Sequence, residues 1–430
     1  MSMLTIALLG IVIMVLLMLL RMPVGFAMLL SGFFGLMYVV SPSAALNMLG
    51  ADIWEQFSSY SLSVIPLFTL MGVIVFHSGT AEGLYKTAYK WLGHMRGGLA
   101  GTTVMASIGF AAICGSNSAS AATIGTLALP QMKKYGYDPA ISAGSVACGG
   151  TLGVVIPPSV TLIVIAIQTE QSVGKLFVAN IIPGLLIGMF FLLTIYLLCL
   201  RKPELGPAGE RSSFKAKIAS LPGTIETLLL FVLVIGGLYA GWFTPTEAGA
   251  AGAFGALVIS LVQRKLTWVS FTNAVLETVR ISTMVMVLIT GAVVFGRFLT
   301  TTRLPFLLAD WAAALPVPAF VILMIIILIY LIGGMFMDAL GFLVVTIPVF
   351  YPLAMALGYD PLWFLVLINL LTTMGAVTPP VGVCAYIVSG LSKDISLYTV
   401  FKGVLYFLPA YIVVILLLIF FPQIVTFLSS

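Results

Sequence analysis

Two short stretches, one polar and one Gly-rich, interrupt long apolar runs of the sequence, and both carry groups suited to binding a small cation. Gly115–Ser118 divides the apolar residues 97–132, and Gly333–Asp338 divides residues 317–351. Backbone carbonyls freed at such interruptions act together with hydroxyl and amide oxygens as the hard ligands that sodium requires. We therefore expect oxygen ligands, with Na⁺ as the only bound metal ion.

Two Pro-Pro pairs mark a second kind of interruption. Pro157-Pro158 lies within residues 139–169, and Pro379-Pro380 lies within residues 361–391. Each pair removes two backbone donors and disfavours helical geometry in the preceding residue, so both segments are predicted to be membrane-spanning helices with unwound centres. The first centre is expected to begin at Gly153.

Combining the two kinds of interruption predicts at least two sodium sites. The expected ligands of the first are Ser116, Asn117, Ser118, Gly153, Ile156 and Pro157. Those of the second are Gly334, Met335, Asp338, Thr373, Gly375, Thr378 and Pro379. A competing interpretation is that the small residues only let helices pack closely. It accounts for single residues more readily than for all four interruptions together.

Asp338 is the one acid of fourteen that the sequence places near the membrane midplane. Burying an ionisable group in a membrane is costly, which favours a functional role, although Asp338 could instead cap the helix over 339–345. Arg297 and Arg303 could bind a substrate carboxylate, or they could extend to the membrane surface. The residues expected to contact substrate are Ser118, Ser159, Arg297, Arg303 and Asp338.

The composition excludes a soluble protein. Of 430 residues, 61% are hydrophobic and only 8% are charged, whereas soluble domains carry about 25% charged residues. The net charge of +5 comes from scattered basic residues, so the lipid bilayer and not nucleic acid is the expected environment. Four cysteines without disulfide or zinc spacing, and the lack of a phosphate-binding loop or a His-Glu-x-x-His motif, predict neither enzymatic activity nor an organic cofactor.

The apolar segments predict an all-α polytopic membrane protein. Eight simple segments have about the 20 residues needed to cross a bilayer: 3–20, 23–40, 60–78, 176–200, 222–241, 246–262, 281–300 and 403–421. The segments 97–132 and 317–351 are expected to be re-entrant hairpins, because half-helices of about 16 residues rise only about 24 Å. The segments 139–169 and 361–391 are the broken helices.

The basic residues predict the orientation. With two hairpins that return to the side they enter from, sixteen of the nineteen Lys and Arg residues lie on the cytoplasmic side and both termini are periplasmic. If residues 97–132 crossed the membrane instead, Lys133 and Lys134 would move to the periplasm. The polar residues 201–221 are expected to form a cytoplasmic linker.

An internal repeat divides the chain into two halves. Gly136–Pro139 recurs as Gly358–Pro361, and the Pro-Pro pair recurs at the same offset of 222 residues. The predicted halves are 1–200 and 222–430, on either side of the linker. Because the first half begins in the periplasm and the second in the cytoplasm, they form an inverted-topology repeat, an architecture of secondary transporters.

The ordered motifs resemble those of one known family over essentially the whole chain. They are Gly115–Thr123, Gly149–Gly153, Ile156–Ser159, Gly241–Gly249, Gly334–Asp338 and Thr378–Gly382. The set closely resembles the large membrane subunit of tripartite ATP-independent periplasmic (TRAP) transporters. Many members read Gly-Ser-Gly-Pro where this chain has Gly-Ser-Asn-Ser at 115–118.

The resemblance implies a sodium-coupled importer of organic acids, such as C4-dicarboxylates or sialic acids, in the bacterial inner membrane. It implies an elevator mechanism of the ion-transporter superfamily type, in which the hairpins and broken helices move against a scaffold. It also implies two partners: a small four-helix membrane subunit, encoded as a separate chain, and a periplasmic substrate-binding protein.

Two other functions remain open on the sequence. A stand-alone sodium/dicarboxylate symporter of the related inverted-repeat superfamily would need no binding protein. A passive channel would move solutes without ion coupling, but it gives no reason for paired hairpins and broken helices.

Overall fold

The computed structural model describes residues 2–428, and every regular element within them is a helix. This follows from the composition, because a chain in lipid must satisfy its backbone hydrogen bonds internally. The helices outside the interrupted segments are, in the first half, Met3–Leu19, Val24–Val39, Pro42–Ser58, Val64–His77, Thr80–Leu92 and Val173–Arg201. In the second half they are Pro222–Phe231 with its continuation to Tyr239, Pro245–Val262, Trp268–Thr301, Leu304–Ala314, Leu397–Phe420 and Gln423–Thr426.

The interrupted segments form two hairpins and two broken helices, as the sequence predicted. The first hairpin consists of Gly98–Cys114 and Asn117–Lys134, and the second of Ala319–Phe336 and Ala339–Ala356. The first broken helix consists of Pro139–Val155 and Val160–Gln168, and the second of Pro361–Gly375 and Val383–Leu391. These four names are used below.

Among residues 2–428, seven helices are long and apolar enough to cross a membrane, and the number rises to nine if each of two bent helix pairs is one span. The bent pairs are Pro42–Ser58 with Ser61–His77, at 55°, and the two parts of the first broken helix, at 41°. These values confirm a polytopic protein.

The predicted span 281–300 is not a separate helix. It is the C-terminal part of one 34-residue helix, Trp268–Thr301, about 51 Å long at 1.5 Å per residue. The sequence from 268 to 290 contains neither glycine nor proline. Nothing therefore ends a helix between the polar and the apolar part of this segment.

The breaks at the Pro-Pro pairs are also placed slightly differently from the sequence prediction. Gly153 lies in the last turn of a helix that continues to Val155, and Ile156 is extended. The reason is local, since a proline excludes helical geometry chiefly from the residue before it. In the second broken helix, Thr373 and Gly375 are likewise still helical, and the break covers residues 376–382.

The N-terminal parts of the two broken helices form the centre of the molecule. Every residue of 140–155 in the first and of 363–375 in the second is buried. Their starts share the same local structure, because Asp138 and Asp360 each cap the helix that follows, with Oδ1 accepting an amide hydrogen bond at 2.8 Å. The internal repeat of the sequence is thus a repeat of the structure.

The first hairpin returns to the place where it begins. The Gly97 amide donates to the Gly206 carbonyl at 2.8 Å, and the Asp138 amide donates to the Leu205 carbonyl at 3.1 Å. Leu205 and Gly206 are consecutive, so both ends of the hairpin lie against one point of the linker. A helix pair that crossed the membrane once could not make both contacts.

The arms of the second hairpin also lie side by side. The Tyr330 ring on the first arm packs edge to face with Phe342 at 5.6 Å and lies 5.8 Å from Phe350 on the second arm. A Cβ on Gly333 would overlap the Phe342 ring. The two arms are therefore antiparallel and in contact near the tip.

Contacts between loops connect segments that the charge count assigned to the same side. Lys133 pairs with Asp394, both on the predicted cytoplasmic side. On the opposite side, the Gln171 amide donates to the Tyr351 hydroxyl at 3.1 Å. Both contacts are consistent with the predicted orientation, because each joins segments assigned to one side.

Candidate functional site

Two residues form the tip of the first hairpin. Its first arm ends at Gly115, whose φ of +66° lies in the left-handed region that glycine adopts without steric cost. Ser116 then caps the second arm, and its hydroxyl accepts a hydrogen bond from the Ala119 amide at 3.4 Å. Asn117 follows and is only 4% exposed. The tip therefore places polar groups in the protein interior.

This tip lies directly against the break in the first broken helix. A Cβ on Gly115 would lie 2.9 Å from the Pro158 carbonyl oxygen. A Cβ on Gly153 would lie 2.4 Å from the Ser116 carbonyl oxygen. Both positions need glycine because backbone approaches backbone. The structure thus brings together the residues that the sequence assigned to the first ion site.

The tip of the second hairpin is capped by Asp338. Its Oδ2 accepts a hydrogen bond from the Leu340 amide at 3.2 Å, so the predicted capping role is real. One cap uses only one of the two carboxylate oxygens. The Asn117 side chain and the Ala339 amide also lie beside the carboxylate. An ionised carboxylate can bind a cation while it accepts such hydrogen bonds.

The second tip lies against the break in the second broken helix in the same way. A Cβ on Gly375 would lie 2.5 Å from the Gly334 carbonyl carbon. The Met335 carbonyl accepts the amides of Val381 and Gly382 at 3.3 and 3.4 Å. The residues assigned to the second ion site are therefore also neighbours.

The two halves meet at their interruptions. The Asn117 side-chain amide lies beside the Asp338 carboxylate, close enough to act on it electrostatically. The Asn369 amide of the second broken helix donates to the Val154 carbonyl of the first, at 3.5 Å. The four interruptions thus form one centre and not two separate ones.

Four buried polar atoms without a hydrogen-bond partner lie at this centre. They are Asn117 Nδ2, Ser120 Oγ, Ser159 Oγ and Asn369 Oδ1. Ser120 and Asn369 are fully buried, and Ser159 is 1% exposed. Leaving such a group unpaired costs about 1–3 kcal/mol. Hydroxyl and amide oxygens are among the hard ligands that a sodium ion accepts.

The donor set does not suit a transition metal. Within residues 2–428, no group of three or more His, Cys, Asp or Glu side chains is placed to hold a metal ion. Neutral oxygens with a single carboxylate match a hard monovalent cation better than a soft one.

The helix ends at this centre have opposite electrostatic character. Each interruption juxtaposes the C-terminal end of one helix, with free carbonyls, and the N-terminal end of the next, with free amides. Carbonyl ends favour a cation, and amide ends favour an anion such as a carboxylate. Ser159 makes no capping hydrogen bond to the helix that follows it, so the first amides of that helix remain free.

The two predicted threonine ligands keep lone pairs available. Thr373 donates its hydroxyl to the Asn369 carbonyl at 2.6 Å, and Thr378 donates to the Met374 carbonyl at 2.7 Å. A hydroxyl that donates its proton still has two acceptor sites. Both side chains are therefore oriented to accept a cation without losing their existing bonds.

The remaining predicted ligands lie at the first break, the first tip and the second break. Ile156 and Pro157 are buried, and Pro379 is half-buried. Ser118 donates both its amide and its hydroxyl to Asn117 Oδ1, at 2.7 and 3.2 Å. This ties the first turn of the second arm into a fixed geometry.

The two arginines predicted to bind substrate do not lie at this centre. Arg297 forms an ion pair of 2.5 Å with Asp52, which is 1% exposed. A Cβ on Gly341, three residues after Asp338, would lie 3.8 Å from the Val24 side chain, and the next residue, Gly25, packs on Leu288. Nine residues separate Leu288 from Arg297, about 13 Å along a helix. Arg303 is farther still, beyond the end of the helix. Arg297 already has a protein carboxylate as its partner, which explains its position without a substrate.

Sequence reasoning missed two residues of the centre. Ser120 lies within a Ser-rich stretch whose other members were identified, and its Oγ would be 2.6 Å from a Cβ on Gly153. Asn369 is an amide inside the otherwise apolar run Leu362–Leu371. A single polar residue in such a run was the sequence feature that could have identified Asn369 as part of the centre.

Comparison with known proteins gives one consistent family. The family model described as "Tripartite ATP-independent periplasmic transporter, DctM component" matches residues 11–424. The chain is 37% identical to the C4-dicarboxylate TRAP transporter large permease protein DctM of Pseudomonas aeruginosa over 81% of each chain. It is 32% identical to the sialic acid TRAP transporter large permease protein SiaM of Vibrio cholerae, over 94% of this chain and 93% of that protein.

A solved structure has the same overall fold. The crystal structure of the Alcanivorax borkumensis YdaH transporter, described as having an unusual topology, aligns with a TM-score of 0.63 at 17% identity. The alignment covers 88% of this chain and 89% of that chain. At this identity the comparison concerns the fold alone.

Proposed function

Because the chain belongs to the DctM component family of tripartite ATP-independent periplasmic transporters, we propose that it is the large permease of a sodium-coupled organic-acid importer. As a multi-pass member of a transporter family, it is not an enzyme. Sodium coupling, the substrate and the mechanism of movement are the parts that the proposal adds.

One observation carries the proposal: unpaired buried oxygens and opposed helix ends occur together at the meeting point of four interrupted helices. A cation compensates the oxygens of Ser120, Ser159 and Asn369, and the carbonyl ends beside them. Irregular backbone at membrane depth is tolerated where it surrounds such a cavity. Each half contributes one tip and one break, which supports at least two sodium ions.

The substrate in this proposal is a carboxylate. Free amides at the start of the helix after Ser159, which has no side-chain cap, attract an anion. The Ser159 hydroxyl, which has no partner, would donate a hydrogen bond to it. Ser118 would lie beside it, and sodium would separate it from Asp338. The relatives named above carry C4-dicarboxylates and sialic acid, and both substrates contain this group.

The proposed movement is an elevator. The ion and substrate groups all belong to the hairpins and broken helices, and Asn369 bonds one broken helix to the other. The centre can therefore be carried across the membrane intact, together with any helix that is fixed to the hairpins, while the other helices act as scaffold. We expect the inner membrane as location, both termini in the periplasm, and two partners: a small four-helix membrane subunit and a periplasmic substrate-binding protein.

Transport by proteoliposomes tests the proposal. The permease would be reconstituted with a small subunit, and uptake of a labelled C4-dicarboxylate or sialic acid measured with and without the matching binding protein, under an imposed sodium gradient. We expect uptake only when both the gradient and the binding protein are present. Uptake without the binding protein would indicate a stand-alone symporter, and uptake without the gradient would indicate a channel.

A further inference from the structure

The linker between the two halves is bound to the protein at one point by its backbone. Leu205 and Gly206 accept the amide hydrogen bonds of Asp138 and Gly97, at 3.1 and 2.8 Å. These amides flank the two ends of the first hairpin. Two consecutive linker residues thus join chain positions that are far apart in the sequence.

The packing around this point leaves no free space. A Cβ on Gly206 would lie 2.9 Å from both Cys199 Sγ and Gly97 Cα, and 3.1 Å from the Tyr137 ring. A Cβ on Gly97 would lie 2.8 Å from Cys199 Sγ. Cys199 is fully buried. The linker is therefore inserted between the hairpin ends and the helix Val173–Arg201.

A third bond reinforces the closure of the hairpin. The Leu99 amide donates to the Tyr137 hydroxyl at 3.0 Å, which connects the first arm to a residue three positions after the second arm. Tyr137 is 5% exposed. The second hairpin differs, because no backbone hydrogen bond among residues 2–428 joins both of its ends to a common segment.

From these contacts we infer that Leu205 and Gly206 form a clasp that closes the base of the first hairpin and stays docked throughout transport. The clasp fixes the hairpin to helix Val173–Arg201, so these elements move as one body. The unclasped second hairpin is then the one whose arms can separate. The docking of Leu205 and Gly206 is independent of the proposed transport function, whereas the statement that they stay docked during transport rests on it.

Gly206→Cys tests the clasp without any further substitution. Its Cβ would lie 2.9 Å from native Cys199 Sγ, close to the separation of about 3 Å between a Cβ and the opposite sulfur in a disulfide. We expect oxidation to join the two residues, shown by mass spectrometry, and the oxidised protein to retain the uptake of the reduced protein. Ala208→Cys, at an exposed position two residues away, is the control that should not crosslink to Cys199.

Two outcomes would overturn the inference. A folded Gly206→Cys protein that fails to crosslink would mean that the linker is not docked. A crosslinked protein that loses uptake and regains it on reduction would mean that the linker must undock during transport.

Hydrogen exchange provides a measurement on the unaltered chain, should Gly206→Cys fail to fold. The Gly97 and Asp138 amides should exchange slowly with and without sodium, and fast exchange of either would refute the clasp. If the unaltered chain shows no sodium-driven uptake, the proposed function fails, whereas crosslinking and exchange still decide whether the clasp exists.

Discussion

The side-chain amide of Asn117 faces the carboxylate of Asp338, so the tips of the two hairpins meet at one point in the fold. Asn117 Nδ2 has no hydrogen-bond partner there, and Asp338 uses one oxygen as a helix cap. The pair joins the two halves of the repeat at the place where the unpaired oxygens lie. The first prediction concerns this pair.

Asp338→Asn and Asp338→Ala should both insert into the membrane and both fail to transport. Asn caps a helix about as well as Asp, whereas Ala loses about 1 kcal/mol of stability. If capping were the only role, the Asn variant would transport normally. Uptake would be measured at matched expression, with Asp360→Asn, at the cap of the second broken helix, as the control that retains activity.

Ser159→Ala should weaken the dependence of stability on sodium. Removing an unpaired buried hydroxyl is neutral or stabilising in the absence of an ion. Bound sodium at 100 times its dissociation constant stabilises a protein by about 2.7 kcal/mol, and the variant should lose much of this gain. The measurement is thermal unfolding in detergent with Na⁺ against a larger organic cation.

The matched control for that experiment is Ser145→Ala in the same helical segment. Its hydroxyl is buried and donates to the Ser142 carbonyl at 2.9 Å, so its loss should cost about 1 kcal/mol at any sodium concentration. If sodium raised the thermal stability of Ser159→Ala and of the unaltered chain equally, Ser159 would not be a ligand of the ion.

Gly153→Ala should impair sodium-dependent uptake by forcing the first tip away from the first broken helix. Its Cβ would lie 2.4 Å from the Ser116 carbonyl oxygen and 2.6 Å from Ser120 Oγ, and overpacking of this kind costs about 1–3 kcal/mol. Gly174→Ala is the control, because the nearest atom to its Cβ would be 3.8 Å away. Half-saturating sodium concentrations for the two variants would be compared, and equal values would argue against close contact at Gly153.

Arg297→Met should lower stability by about 2 kcal/mol, because it leaves the buried Asp52 carboxylate without its partner. The double variant Arg297→Met with Asp52→Leu should recover most of this loss. The KM for the organic acid should not change in either protein. A raised KM with unchanged thermal stability would instead indicate that Arg297 binds the substrate.

Single cysteines at Ala208 and Lys134 should react with a membrane-impermeant thiol reagent only from the cytoplasm, and one at Lys175 only from the periplasm. All three positions are exposed, and the background would lack the four native cysteines. Labelling of position 134 in intact cells would contradict the orientation. The Lys133–Asp394 ion pair beside it predicts the same accessibility for a cysteine at Lys393.

The sequence alone determined the helical class, the repeat and the positions of the interruptions. These are local properties, since the Pro-Pro pairs end helices wherever they occur and Gly115 and Asp338 define turns through their own backbone preferences and capping. Helix ends were less certain. Gly153 remained helical, and the helix Trp268–Thr301 continued through a change from polar to apolar residues.

Only the tertiary structure decided which residues became neighbours. A repeat with an offset of 222 residues predicts two tips and two breaks. It does not predict that Asn117 faces Asp338 or that Asn369 contacts Val154. Likewise, no local pattern connects Arg297 with Asp52. Such pairings depend on how helices far apart in the chain pack against one another, and many side-chain and backbone contacts acting together determine that packing.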